Sequence, residues 1–347
     1  MEFSNIIVRM PNWLGDLVMA TPILDDLKKK WPQAKLTAMC RGRTGELLVN
    51  DPNVDEIFTF TQPSGWLHRD SARHILNPLR HGGYDLGLLL TNSFSSAWWF
   101  WRGHVQNRVG FEGNLRSPLL NEAVPFPEDK ENIHQVNVYK SLLAPLGIPC
   151  SKTAPKLYVS YDEARAAKEL LKRCQVPEGA AIIGINPGAA YGTAKCWPPE
   201  RFTEAALKLL ENPDACILFF GDEQTAPLVD RICRDLPKRA VNLAGKTDLR
   251  ELMALIELCD VFLTNDSGPM HIASALGTKL VALFGSTNDI KTGPYNGGTV
   301  IHKRPSCSPC YKRVCPIDFR CMKEITVDEV CSEIRKQLSS VEAFHSS

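Results

Sequence analysis

The chain has 347 residues, 44% of them hydrophobic, and its 40 Lys and Arg nearly balance 39 Asp and Glu at a net charge of +1. This is more chain than one core usually organises, so two domains are expected, while the balanced charge excludes any general pull toward nucleic acid or an anionic surface. No apolar run approaches a membrane span, Arg9, Asn12 and Asp16 interrupt the start of the chain, and eight of the 12 cysteines are scattered, so a cytoplasmic protein with reduced thiols is expected.

Ile6 to Val8 reads as a first strand, and Arg9 to Asp16 as the loop into a helix that continues to about Lys30. In a parallel α/β sheet such loops lie at the carboxyl edge of the strands, where ligands bind. This one delivers Asp16, a candidate general base; the plainer alternative is a first-turn carboxylate favoured by the helix dipole. Strands follow at Lys35 to Met39 and Asp55 to Phe60, with a short helix near Gly45 to Val49, then at Leu86 to Leu90 and Arg108 to Phe111.

Arg69, Arg73 and Arg80, with His68, His74 and His81 and the later Arg102, Arg108 and Arg116, make either a solvated basic face or a receptor for phosphate or lipid head groups. Trp98, Trp99, Phe100 and Trp101 are consecutive, and at about 100° per residue they cannot share one helix face. At least one ring must leave the core.

A capping box, Ser160-Tyr161-Asp162-Glu163, opens a helix to about Cys174 and with it the second domain. Strand Ala181 to Ile185 then leads into a loop from Asn186 to Lys195. Its glycines let backbone approach a ligand, and Lys195 can neutralise a phosphate, although the spacing is neither a Walker loop nor a dinucleotide fingerprint. Strand Cys216 to Phe220 ends in Gly221-Asp222-Glu223, whose carboxylates suit ribose hydroxyls or are ordinary loop acids. Asp248 precedes a helix from Leu249 to Leu258.

The most informative stretch is next: strand Val261 to Leu263, turn Asn265-Asp266-Ser267-Gly268, a helix from Pro269 to Leu276, and a buried strand Leu280 to Phe284. Free N–H groups and the dipole at that helix start make an anion site, though the same residues also cap an ordinary helix. His271 either reaches back toward the anion or sits in the core. Loops 186–195, 221–223, 244–248 and 265–271 would meet at one sheet edge, where a nucleotide fits.

Cys307, Cys310, Cys315 and Cys321 offer four thiolates for a structural zinc; an iron–sulfur cluster or free thiols are the alternatives. Thr326-Val327-Asp328-Glu329 is a further capping box, opening a last helix to about Val341.

Together PNWLGD at 11–16, NSF at 92–94, NPGAAYGTAKCWP at 186–198 and NDSGPMHIASALGTKLVALFG at 265–285 resemble the ADP-heptose:lipopolysaccharide heptosyltransferases of glycosyltransferase family nine, most closely the heptosyltransferase II type. The resemblance spans nearly the whole chain. It implies an α/β GT-B fold, two doubly wound Rossmann-like domains facing across a cleft that closes during catalysis. Residues 1–158 would bind the acceptor and carry the catalytic Asp, 159–325 would bind the sugar nucleotide and hold the cysteine cluster, and 326–347 would return as a helix toward the first domain. The implied activity is inverting transfer of L-glycero-D-manno-heptose from ADP-heptose to the heptosyl-Kdo-lipid A inner core of lipopolysaccharide, as in Gram-negative bacteria. No cofactor would be required for catalysis and no nucleic acid would be a partner, while peripheral contact with the inner face of the inner membrane would follow from a lipid-borne acceptor.

Carried over residue by residue, the resemblance makes Asp16 the base and Lys195 the cation at the donor phosphates. It puts Asp266, Ser267, Gly268 and His271 around the pyrophosphate and heptose. Gly188, Ala189 and Thr193 join the donor loop, Asp222 and Glu223 face the adenosine, and Asn12, Trp13, Asn92 and Ser93 with Arg69 and Arg73 face the acceptor. The chain departs from the heptosyltransferase I type, which has a Thr pair where Ala190-Tyr191 stands here. The alternatives are a non-catalytic sugar-nucleotide-binding protein of this fold, or a family member using another sugar nucleotide or acceptor; an oxidoreductase is disfavoured because no G-x-G-x-x-G follows Val8.

Overall fold

The computed structural model describes residues 2–62 and 72–345, with side chains in the last helix to residue 339. The chain divides into two compact units, Met1–Tyr158 and Val159–Ser347. Among the described residues each unit holds one six-stranded sheet, parallel throughout.

In the first unit the strands are β1 (Asn5–Arg9), β2 (Lys35–Arg41), β3 (Glu56–Phe60), β4 (Leu86–Leu89), β5 (Asn107–Phe111) and β6 (Glu122–Val124), in the order β3-β2-β1-β4-β5-β6. β1 and β4 are continuous apolar runs because helices cover both faces of the sheet. Val8 stands opposite Ala38 on one side and Leu88 on the other. The helices are α1 (Leu14–Ala20), α2 (Pro22–Lys30), α3 (Arg73–Gly82), α4 (Phe94–Arg102) and α5 (Gln135–Ser141). Ile7, Met39 and Leu89 meet Ile75 and Leu79 of α3 and Trp99 and Phe100 of α4 in one core. Of the four consecutive aromatics, Trp99 and Phe100 are buried, whereas Trp101 is 44% exposed, as the helical period requires.

The single helix expected up to Lys30 is two. Thr21 keeps a helical backbone, but its amide bonds Val18 C=O at 3.1 Å and Pro22 opens α2 at its first position. Proline has no N–H for the preceding turn and fits the head of a new helix, so the chain breaks there. The edge strand β6 has no signal of its own in three residues with an exposed, acidic start.

In the second unit the strands are β7 (Ala181–Asn186), β8 (Ala215–Phe219), β9 (Ala240–Asn242), β10 (Val261–Asn265), β11 (Leu280–Phe284) and β12 (Thr299–His302), in the order β12-β11-β10-β7-β8-β9. This is the winding of the first unit repeated: three strands outward on one side, then three on the other. Both sheets therefore switch direction beside their first strand, at β1/β4 and at β7/β10. The helices are α6 (Tyr161–Arg173), α7 (Pro199–Leu209), α8 (Ala226–Cys233), α9 (Leu249–Glu257), α10 (Gly268–Leu276), the short α11 (Asp289–Thr292) and α12 (Arg320–Lys323), and α13 (Val327–His345).

The capping box expected at Ser160 forms, and α9 has one that was not expected. Ser160 Oγ accepts from the Glu163 amide while Glu163 returns to the Ser160 amide, and Asp248 and Glu251 do the same for α9. Glu163 also receives Arg250 of α9 at 2.7 and 2.8 Å, which ties α6 to α9. That guanidinium, with the Ser160 amide, brings the Glu163 carboxyl down to about 2.

The last helix packs on the second unit. Val327, Val330, Cys331 and Ile334 recur at helical spacing and are buried in the core of the second unit, with Ile217, Leu263 and Leu283. A stripe of that period needs an apolar surface, and α7 with β10 and β11 supplies one within the same unit. The described side chains of α13 therefore complete the core of the second unit.

Candidate active site

At the first switch point, the loop after β1 delivers Asn12 and Trp13, both exposed, and then Asp16 in the first turn of α1. Trp13 is the residue before the helix and supplies no side-chain cap. A residue far along the chain orients Asp16: Tyr139 of α5 donates its hydroxyl to Asp16 Oδ1 at 3.3 Å. Burial pushes the Tyr139 phenol well above its ordinary range, and the neighbouring carboxylate adds to the shift, so the phenol stays a donor. Arg9, 2% exposed at the end of β1, donates to Asn12 Oδ1 at 2.6 Å and lies over the Phe60 ring. Its burial lowers the guanidinium to about 10.

The other strand of this switch point, β4, runs into Asn92 and Ser93. Ser93 Oγ accepts from the Ser96 amide at 3.2 Å and so caps α4; Asn92 C=O accepts from Asn114 at 2.7 Å. Arg116 is fully buried, donating to Phe111 C=O at 2.8 Å, to Thr91 C=O and to Asn92 Oδ1 at 3.4 Å. Arg108 likewise donates to Leu119 C=O at 2.7 Å and to the carbonyls of Val105 and Gln106. These two arginines, counted above among possible phosphate receptors, are instead tied to backbone carbonyls, and burial lowers both guanidinium groups. Arg73 is an exposed first residue of α3. Arg69 and His68 lie outside the described residues.

In the second unit the four predicted loops do share the carboxyl edge of β7 to β10, stitched by hydrogen bonds. Asn265 Nδ2 donates to Pro187 C=O at 2.7 Å and its Oδ1 accepts from the Trp197 amide at 3.0 Å. The Gly245 amide bonds Gly221 C=O at 2.9 Å. Asn186, a buried strand-end amide, donates to Gly188 C=O at 3.1 Å and to Ser267 Oγ at 3.3 Å. Ser267 Oγ also meets Thr264 Oγ1 at 3.0 Å and does not turn onto α10 as a cap. Gly268, not Pro269, is the first helical residue, and the amides of this turn have no side-chain cap from Ser267.

Lys195 and Asp266 form the centre of this edge. Their side chains are 14% and 5% exposed, with Nζ 2.6 Å from Asp266 Oδ2. Thr287, three residues beyond β11, donates to the same oxygen at 2.6 Å. Asp266 thus neutralises Lys195 and fixes its direction, and an ammonium has three N–H bonds, of which this pair uses one. Lys195 also lies 4.9 Å from the centre of the Tyr191 ring. Thr193 opens the short turn that ends at Lys195, and Ala189 is half-buried. Gly188 abuts Thr225 so closely that a Cβ would come within 2.7 Å of its methyl carbon. His271 is buried in the first turns of α10.

Asp222 acts locally, since its Oδ1 accepts from the Thr225 amide at 2.9 Å and from Thr225 Oγ1 at 2.8 Å, fixing the turn into α8. Glu223 is exposed beside it. Cys307, Cys310, Cys315 and Cys321 line one common cavity. Sequence reasoning missed Arg9, Tyr139, Asn186 and Thr287. Asn186 ends a strand and Thr287 follows one, so both had a positional signal; Tyr139 had none.

Residues 72–319 match the family model described as glycosyltransferase family 9 (heptosyltransferase). The chain belongs to that family. It is 31% identical over 297 residues to lipopolysaccharide heptosyltransferase 2 of Salmonella typhimurium, an alignment covering 83% of this chain and 85% of that one. The solved structure of the E. coli ADP-heptose lipopolysaccharide heptosyltransferase II superposes with a TM-score of 0.82 at 28% identity, over 99% of this chain and 100% of that one. A family 9 glycosyl transferase from Veillonella parvula superposes with a TM-score of 0.89 over 98% of both chains; at 23% identity it speaks for the fold alone. The fold of this family 9 member is GT-B, and among its relatives it resembles the heptosyltransferase II type.

Proposed function

We propose that the protein is a heptosyltransferase of lipopolysaccharide core synthesis, taking L-glycero-D-manno-heptose from ADP-heptose and transferring it, with inversion, to the heptosyl-Kdo-lipid A inner core. The observation that carries this is the family match combined with a largely buried lysine beside a helix start that has no side-chain cap, an arrangement that suits a pyrophosphate.

In this reading an acceptor hydroxyl attacks the anomeric carbon and gives its proton to Asp16, while the bond from that carbon to the phosphate oxygen breaks and ADP leaves with the electron pair. Tyr139 holds Asp16 through its Oδ1 and so orients the carboxylate that takes the proton. Lys195 and the amides opening α10 meet the growing charge on the departing pyrophosphate. Asp266 is anionic and already bonded to Lys195 and Thr287, so it serves to aim the lysine; a direct contact with phosphate would set like charges together. His271, Ser267 and Gly268 border the same anion, Gly188, Ala189 and Thr193 shape the loop over it, and Glu223 with Asp222 lies toward the nucleoside. Asn12, Trp13, Asn92 and Ser93 border the acceptor, and an acceptor carried on lipid brings the protein to the inner membrane face without a spanning helix.

The test is ADP release from ADP-heptose with and without heptosyl-Kdo-lipid A, for wild type and Asp16→Asn. Acceptor-dependent release that falls by roughly 10²–10⁴ in the variant, with ADP binding intact, is the expected result. Binding of ADP without release under any acceptor would overturn transfer in favour of a non-catalytic role.

A further inference from the structure

The segment between β12 and α13 is sewn to both flanks of the Lys195–Asp266 pair. On one flank Tyr191 donates its hydroxyl to Tyr311 C=O at 2.8 Å, and the Ala194 amide bonds Arg313 C=O at 3.0 Å. The fit is close: Gly192 has φ +155°, and a Cβ there would come within 2.3 Å of Arg313 O. On the other flank the amides of Cys310 and Tyr311 both bond Ser286 C=O, at 3.1 and 2.8 Å, and Ser308 Oγ donates to Gly285 C=O. The next residue, Thr287, is the one that holds Asp266.

Yet this segment has little to hold itself. Between His302 and Val327 its regular structure is the four-residue α12. Met322 and Ile325 near its end are buried in the core of the second unit, but Tyr311, Val314 and Ile317 in its middle are 44%, 68% and 59% exposed. What the segment does concentrate is sulfur. Cys307, Cys310, Cys315 and Cys321 all line one cavity of about 240 Å³, with Ala194, Gly285 and Ser286 in its wall. None is in a disulfide. The four sulfurs surround the cavity without converging: among the described residues no three Cys, His, Asp or Glu side chains are spaced to hold an ion as they stand.

We propose that the four cysteines close on a thiophilic metal centre, zinc or iron held as thiolates, and that this centre keeps Tyr191 to Lys195 and Ser286-Thr287 in place from behind. Four thiolates are a complete tetrahedral set that leaves no open position, so the centre is structural. Binding draws the sulfurs inward and releases their protons, and the folding free energy it supplies goes to a segment whose middle, Tyr311 to Ile317, has exposed apolar side chains. The metal content is independent of the proposed function; the effect on ADP rests on it.

The experiment uses the full chain, purified with reductant and without chelator. Elemental analysis should find about one zinc or iron centre per chain, lost from Cys310→Ser. Stripping wild type with a strong chelator should lower its melting temperature and weaken ADP binding by roughly tenfold, the cost of re-ordering about one backbone residue on binding, with both restored by zinc or ferrous iron. Chelation keeps the test open if the serine variant does not fold. A metal-free chain whose thiols all react with a disulfide reagent while melting and ADP affinity stay unchanged would overturn the centre. Metal bound, melting lowered by chelation and ADP affinity untouched would overturn the bracing of the phosphate loop and leave the function standing.

Discussion

Replacing Lys195 by methionine keeps most of the side chain's volume and removes its charge, leaving Asp266 at 5% exposure with Thr287 as its remaining donor at 2.6 Å. Breaking a buried ion pair by deleting one partner costs on the order of 3–5 kcal/mol; the retained Thr287 bond puts this case near the lower figure, about 3 kcal/mol. For a unit of nearly 200 residues that corresponds to a fall of roughly 6–12 °C in melting temperature. The double variant Lys195→Met/Asp266→Asn has no charge left to strand and should recover at least half of the loss. Under the proposed function both variants should also bind ADP weakly, since the cation assigned to the phosphate is gone from each. Thermal melts with ADP calorimetry separate the two effects. A single variant as stable as wild type, or a double variant no better than the single, would refute the claim that Lys195 compensates the buried charge of Asp266.

Tyr139→Phe removes the donor to Asp16 Oδ1. A carboxylate that loses a hydrogen bond to its charged form becomes more basic, so the acid limb of kcat/KM against pH should move upward and kcat should fall several-fold, with ADP affinity unchanged; superimposable profiles would remove Tyr139 from the mechanism. Glu163→Gln tests the tie between α6 and α9. The Glu163 carboxyl moves from 4.5 to about 2 on folding, at most about 3 kcal/mol and nearer 2 for a side chain 25% exposed. Because the folded value is depressed, this stability is present above pH 4.5 and disappears as pH falls through the folded value. The variant should therefore be weaker in urea at pH 7 and converge on wild type in acid; an equal deficit at both would contradict the assignment.

The central strands were legible because a parallel sheet covered on both faces needs unbroken apolar runs, and β1, β4, β7, β10 and β11 are such runs. The carboxyl-edge loops were legible too, since Gly188, Gly268 and the strand-end asparagines mark where chain must turn tightly beside a ligand. What could not be read were pairings at long range. Tyr139 with Asp16 spans 123 residues, and Thr287 reaches Asp266 only because β11 pairs with β10. The basic residues misled for a similar reason: Arg108 and Arg116 look like surface charge in sequence, but the turn around β5 leaves carbonyls that they serve. The break at Pro22 was visible as a residue and went unused, because an apolar period continued across it.

The edge opposite the loops has its own device, present in both halves. Asp85, just before β4, accepts from the amides of Ser4 and Asn5 at 2.7 and 3.0 Å, and Asp260, just before β10, accepts from the Ile182 amide at 2.8 Å. Each carboxylate pins the middle strand pair at its start, while the chemistry hangs from the far end of the same two strands. A sliding register would displace every loop at the ligand edge by a whole residue and turn its side chains over. Substitution of either aspartate should thus mimic an active-site lesion from across the sheet, and a scan of all positions should produce two bands of intolerance along β1, β4, β7 and β10, one felt as lost catalysis and the other as lost alignment.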